Sequence, residues 1–78
     1  MSMKFNYSYI KKLREDKNLS LRDLARDLHL KHDTIVAYES LSKWENGIME
    51  PKINNELLLC SYFGVMPNDF VMEEKDNV

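Results

Sequence analysis

The 78-residue sequence predicts an all-α fold, a compact bundle of five helices in one domain. Three observations predict it. Apolar residues recur at helical spacing, as when Ile53, Leu57, Cys60 and Phe63 keep the i, i+4, i+7 rhythm of a core face. Only two glycines and two prolines interrupt the chain, and each stands at the edge of such a window. A phrase of six residues occurs twice, back to back, mid-chain.

Phe5, Tyr7 and Tyr9 alternate, which predicts an extended arm packed on the domain before the first helix. Asn6 or Ser8 caps that helix; Ile10 and Leu13 are its inward pair, and it ends near Lys17. Asn18 then occupies a left-handed position that asparagine tolerates. Ser20, with Asp23 three residues on, opens the second helix as a capping box, and Leu24, Ala25 and Leu28 form its buried stripe. His29-Leu30 reads as the turn, Asp33 as the cap of the third helix and Gly47 as its end. Pro51 precedes the fourth helix, which Gly64-Val65 stops. Pro67 suits the first turn of a short fifth helix containing Phe70 and Val71. The domain is expected over 1–72, with an acidic, solvated tail over 73–78. Leu24, Ala25, Leu28, Ile35, Leu41, Leu57 and Phe63 are expected to share the core.

The repeated phrase is Thr34-Ile35-Val36-Ala37-Tyr38-Glu39 followed by Ser40-Leu41-Ser42-Lys43-Trp44-Glu45: hydroxyl, aliphatic, two variable residues, aromatic, glutamate. Six residues advance a helix by roughly 600°, about 120° from the starting face. Only one copy can therefore dock on the second helix. Docking the first buries Ile35 and leaves Lys31, His32, Asp33 and Thr34 leading the third helix. Docking the second buries Leu41 and puts Ala37, Tyr38, Glu39 and Ser40 there. The threefold spacing of Ile35, Tyr38, Leu41 and Trp44 predicts one long helix from about Asp33 to Asn46. Its exposed set is then Thr34, Val36, Ala37, Glu39, Ser40 and Lys43.

Through Met72 cationic and anionic residues are equal in number, so the net charge of −2 arises where Glu73, Glu74 and Asp76 outweigh Lys75. A neutral domain binds a polyanion only if its cations cluster on one face. The single cysteine cannot form an internal disulfide, which fits a reducing cytoplasm. No long apolar run suggests a membrane span, and no basic start with an apolar core suggests a signal peptide. Neither a glycine-rich phosphate loop nor a nucleophile with a recognisable base is present, so no enzyme is expected. His29, His32 and Cys60 lack a fourth ligand at a suitable spacing; no metal or cofactor is expected. Cys60 reads as a small core residue and Glu45 as a partner for loop backbone. Lys11, Lys12 and Arg14 read equally well as a solvated face or as phosphate contacts.

Three blocks carry a family resemblance: Leu19-Ser20-Leu21-Arg22-Asp23-Leu24-Ala25, then Leu41-Ser42-Lys43-Trp44-Glu45-Asn46-Gly47, then Glu50-Pro51 through Leu57-Leu58-Leu59 with Phe63-Gly64-Val65. In this order the chain resembles the Cro/repressor type of helix-turn-helix domain, also called the xenobiotic-response-element family. The resemblance implies a lambda-repressor-like DNA-binding domain, with helices two and three as the helix-turn-helix. The chain departs from the pattern at Leu21, where the family commonly has a glutamine that reaches DNA, at His29 in place of the turn glycine, and in its lengthened third helix.

Two functions follow as expectations. As a transcriptional regulator the domain would bind double-stranded DNA. Ser20, Arg22, Lys31, His32, Thr34, Ser40 and Lys43 would contact phosphates and bases, while Glu39 would repel phosphate or accept from a cytosine. Alternatively it resembles small phage modulators and antirepressors, with Val36 and Ala37 on a face that docks a partner repressor protein. A homodimer or heterodimer is compatible with either, built on the fifth helix, the aromatic arm or the extended helix.

Overall fold

The computed structural model describes residues 2–74. Strand β1 (Ser2–Phe5) leads into helices α1 (Tyr7–Asp16), α2 (Leu21–His32), α3 (Tyr38–Glu45) and α4 (Ile53–Phe63). A 3₁₀ turn (Pro67–Phe70) and strand β2 (Val71–Glu74) complete them. The expected five helices are thus four, with a 3₁₀ turn and a small sheet besides. β2 runs antiparallel to β1, pairing Phe5 with Val71 and Ser2 with Glu74. That pairing explains why the fifth helix is so short. Val71, β-branched and extended (φ −111°, ψ 133°), gives its backbone to the sheet instead of to another helical turn.

The aromatic arm is corrected in the same way. Phe5 lies in β1, but Tyr7 and Tyr9 belong to the first turn of α1. Glu73 and Glu74, expected in the tail, lie in β2; the remainder of the expected tail, 75–78, falls outside the described residues.

Local punctuation acts where the sequence places it. Asn18 adopts a left-handed φ of 57°. The Ser20 hydroxyl accepts from the Asp23 N–H, and the Asp23 carboxylate accepts from the Ser20 N–H, each at 3.0 Å. These bonds, the backbone one first, hold the Asp23 carboxyl below its usual range. Gly64 ends α4 in the left-handed region. Gly47 is required twice over: its φ is +70°, and a Cβ there would stand 3.1 Å from the Tyr7 ring.

The continuous third helix does not form. α2 runs through His29-Leu30 to His32, and Asp33 closes it in the left-handed conformation (φ 51°, ψ 45°), its N–H donating to the His29 carbonyl. Asp33 is therefore a C-cap, not an N-cap, and His29 is helical. Residues 34–37 are non-helical, and α3 starts only at Tyr38. The three β-branched residues Thr34, Ile35 and Val36 are poor helix formers, and Ile35 in their middle finds no core to compensate. The second copy of the phrase docks: Leu41 and Trp44 are buried, while Ile35, expected in the core, is 86% exposed.

This geometry predicts that Ala37→Pro is tolerated. Ala37 has φ −66° and ψ 142°, and its N–H makes no hydrogen bond among the described residues. Proline fits such a site and narrows the unfolded ensemble, so stability should hold or rise by about 0.4–1 kcal/mol. Loss of helical circular dichroism in this variant would show instead that the helix continues upstream.

Ile10, Leu24, Leu28, Leu41, Leu59 and Phe70 are fully buried, joined by Phe5, Trp44, Cys60 and Tyr62. Ala25 and Phe63 pack against this core half-buried, but Leu57 is 45% exposed and stands outside it. α4 turns Leu59, Cys60 and Tyr62 inward instead. Tyr62 can enter because its hydroxyl donates to the Asp27 carboxylate at 2.6 Å. Burial first, then that hydrogen bond, pushes its pKa up to about 12.

One polar pair crosses the core. Arg14 donates from Nε to Glu45 at 2.7 Å, from a terminal nitrogen to the other Glu45 oxygen at 2.9 Å, and from the remaining one to the Leu19 carbonyl at 2.7 Å. Glu45 thus serves a guanidinium, not the loop backbone expected for it. Arg14 is withdrawn from any phosphate.

Candidate nucleic-acid interface

α2 and α3 form the candidate site, and α3 packs on both α1 and α2. Leu41, Trp44 and Glu45 face inward, which turns Glu39 and Lys43 outward, four residues apart on one face. Ser42 and Asn46 share that face; the Asn46 amide donates to the Ser42 carbonyl at 2.8 Å. Ala37 stands exposed immediately before the first turn.

Leu21 carries no side-chain donor, but its neighbour Arg22 does. Leu21 begins α2 and packs half-buried against the core. Arg22, one residue further round, is exposed and reaches the start of α3. Its guanidinium carbon lies 4.3 Å from the centroid of the Tyr38 ring, and a terminal nitrogen donates to the Tyr38 hydroxyl at 3.0 Å. The ring narrows the guanidinium's freedom while leaving its other donors uncommitted to any hydrogen bond among the described residues. Ser20, capping the same helix end, lies two residues away.

The expected site residues therefore fall into two groups. Ser20, Arg22, Ala37, Glu39 and Lys43 gather about the start and outer face of α3. Ser40 is half-buried and borders a cleft between α3 and α4 with Trp44 and Met49. Thr34 and Val36 are half-buried in the connecting loop, and Val36 packs against the core instead of presenting a free face. Lys31 and His32 lie at the far end of α2, roughly 13 Å along the helix from Arg22. There the Lys31 ammonium is 5.2 Å from the Tyr62 ring centroid and that of Lys17 5.0 Å, and the His32 ring meets Tyr62 edge-on. They do not join the α3 face.

Ser42 and Asn46 belong to the face but were not among the expected residues, and Tyr38 was expected there only with the second copy of the phrase docked, as it is. The long-helix register concealed them, because it assigned Tyr38 to a buried stripe. Starting the helix at Tyr38 finds all three.

Two helices joined by a short connection, the second presenting a polar face, define the helix-turn-helix class. The chain matches the model of the helix-turn-helix domain over residues 7–75, and it belongs to that family, in its Cro/repressor, xenobiotic-response-element type. No curated protein and no solved structure matches it. The family is one of DNA-binding domains, typically non-enzymatic. Among the described residues no helix is long and apolar enough to cross a membrane.

Proposed function

We propose that the chain is a transcriptional regulator that lays α3 in the major groove of double-stranded DNA. The observation that carries this reading is Arg22 seated on Tyr38 at the entrance to α3, where the family's usual donor is missing. Arg22 and the Ser20 hydroxyl contact phosphate at one end of the helix, and Lys43 does so at the other. Between them Ala37 meets a thymine methyl, and Glu39 accepts from a cytosine amino group. Ser40, Ser42 and Asn46 border this strip. Lys31 and His32 take no part.

Fluorescence anisotropy with duplex DNA across a salt series tests this. Binding should weaken with salt, because phosphate contacts release counterions. Lys43→Ala and Arg22→Ala should each weaken binding to all sequences and reduce the salt slope by about one unit. Glu39→Ala should strengthen non-specific binding. Absence of measurable affinity at low salt would sink the reading.

A second reading is favoured by one observation: Leu30 near the end of α2 is 70% exposed and Ile35 in the connecting loop 86% exposed. Such side chains suit a groove on a partner repressor protein. Ile35→Asp separates the two readings. Loss of regulation in that variant, with DNA affinity absent in the parent chain, would favour the protein partner. Val36 serves this test poorly, since it also packs on the core.

A further inference from the structure

Ile35, on the approach to α3, is the most exposed large apolar side chain among the described residues. Its direction is nevertheless fixed. Residues 34–37 are non-helical, and no backbone hydrogen bond closes a turn within them among the described residues. Ala37 is extended, with φ −66° and ψ 142°, and the β-branched run Thr34-Ile35-Val36 favours the same conformation. Burial alternates along it: Thr34 and Val36 are half-buried, Ile35 and Ala37 exposed. That is the alternation of an extended chain, whose successive side chains point to opposite faces. Val36 packs on the core and so holds the run against the domain. Ile35 and Ala37 therefore share the outward face, immediately ahead of the first turn of α3.

We propose that Ile35 is a specificity-determining residue that covers the 5-methyl group of a thymine in the major groove. The inference rests on the DNA reading above, in which Ala37 meets a thymine methyl at the head of α3. An aliphatic side chain can neither pair with phosphate nor hydrogen-bond to a base edge. The thymine methyl is the apolar group that the groove offers it. Alternate residues of an extended chain stand roughly 6–7 Å apart, and successive bases of one strand about 3.4 Å. With the run following the groove, Ile35 and Ala37 match two thymines of one strand separated by a single base. Ile35 brings more apolar surface than Ala37, so it carries the larger share of the preference for thymine. The first copy of the repeated phrase, whose aliphatic position finds no core, thus extends the reading face upstream of the helix that the second copy docks.

Fluorescence anisotropy of the full chain at low salt with two duplexes tests the proposal. One duplex alternates dA and dT; the other carries dU in place of dT and so lacks only the methyl groups. Alternation sets the thymines of each strand at the required spacing. The parent chain should bind the dT duplex more tightly, by about fourfold for each methyl covered. Ile35→Ala should lower that dT/dU ratio by about threefold and leave affinity for the dU duplex unchanged. Because Ile35 lies outside the core, helical circular dichroism should be retained. Ile35→Val, which keeps a branched aliphatic group in place, should keep most of the ratio. Any difference in shape between the duplexes cancels, since parent and variant meet the same pair. A ratio indifferent to Ile35→Ala, in a chain that binds both duplexes, would overturn the inference and leave the DNA reading standing. Equal losses on the two duplexes would overturn it as well, for the side chain would then support the loop without reading the methyl. No affinity of the parent chain for either duplex would overturn both the inference and the reading beneath it.

Discussion

Arg14→Ala is expected to destabilise the domain by about 3–5 kcal/mol, the usual cost of stripping one partner from a buried ion pair. The magnitude follows from what is left behind. The side chains of Arg14 and Glu45 are 12% and 4% exposed, and their hydrogen bonds fasten α1 to the end of α3. Among the described residues no buried side-chain nitrogen or oxygen lacks a partner. Removing the guanidinium would orphan both Glu45 oxygens and the Leu19 carbonyl together. Arg14→Lys should recover little, since one ammonium cannot reproduce a fork that reaches three acceptors. Arg14→Met combined with Glu45→Leu should recover most or all of the loss, because two apolar side chains have no charge to strand. Urea denaturation followed by circular dichroism measures all three variants. A loss below about 1 kcal/mol in Arg14→Ala would mean that water reaches the pair and that it behaves as a surface bridge.

Arg14 and Glu45 also mark the boundary of what the sequence discloses. They are 31 residues apart, and nothing local distinguishes Arg14 from Lys11 and Lys12 beside it. Only the packing of α1 on α3 brings it opposite a carboxylate. By contrast, Asn18, the Ser20–Asp23 box, Gly47 and Gly64 are legible because each is a constraint on one or a few neighbouring residues. The repeated phrase shows where such legibility fails. Both copies carry the same pattern of types, and the spacing of Ile35, Tyr38, Leu41 and Trp44 suits a continuous helix. The choice was made by long-range contacts: Leu41 and Trp44 find a core, Ile35 finds none, and Asp33 can take the left-handed stop. α4 misled for a related reason. With apolar residues on every side, its sequence does not state which face is inward, and the hydrogen bond from Tyr62 to Asp27 selects it. The candidate site was half legible. Arg22 reaches Tyr38 at the head of α3, next in sequence to Ala37 and Glu39, whereas Lys31 and His32 lie at the far end of the lengthened α2. Leu21 offers no donor, as its type requires, and its neighbour Arg22 occupies the exposed position.

Phe70→Ala should cost about 3–5 kcal/mol, the range for truncating a buried aromatic. Phe70 is fully buried at the junction where β1 and β2 meet the helices. Its ring stacks on Phe5 at 5.6 Å between centroids and meets Tyr9 edge-on at 5.4 Å, while its carbonyl accepts from the Asn6 N–H at 2.6 Å. Truncation would empty the space between β1, α1 and the 3₁₀ turn, and Phe5 would lose the partner that keeps it covered. A two-stranded sheet of four residues per strand has little stability apart from that packing. Its amides should therefore lose protection first, and those in the middle of α2 last, when hydrogen exchange is followed residue by residue. Phe70→Leu, which keeps much of the apolar volume, should recover more than half of the loss. A melting midpoint in Phe70→Ala close to that of the parent would show that the sheet and the 3₁₀ turn are a loose appendage to the helices and contribute nothing to the core.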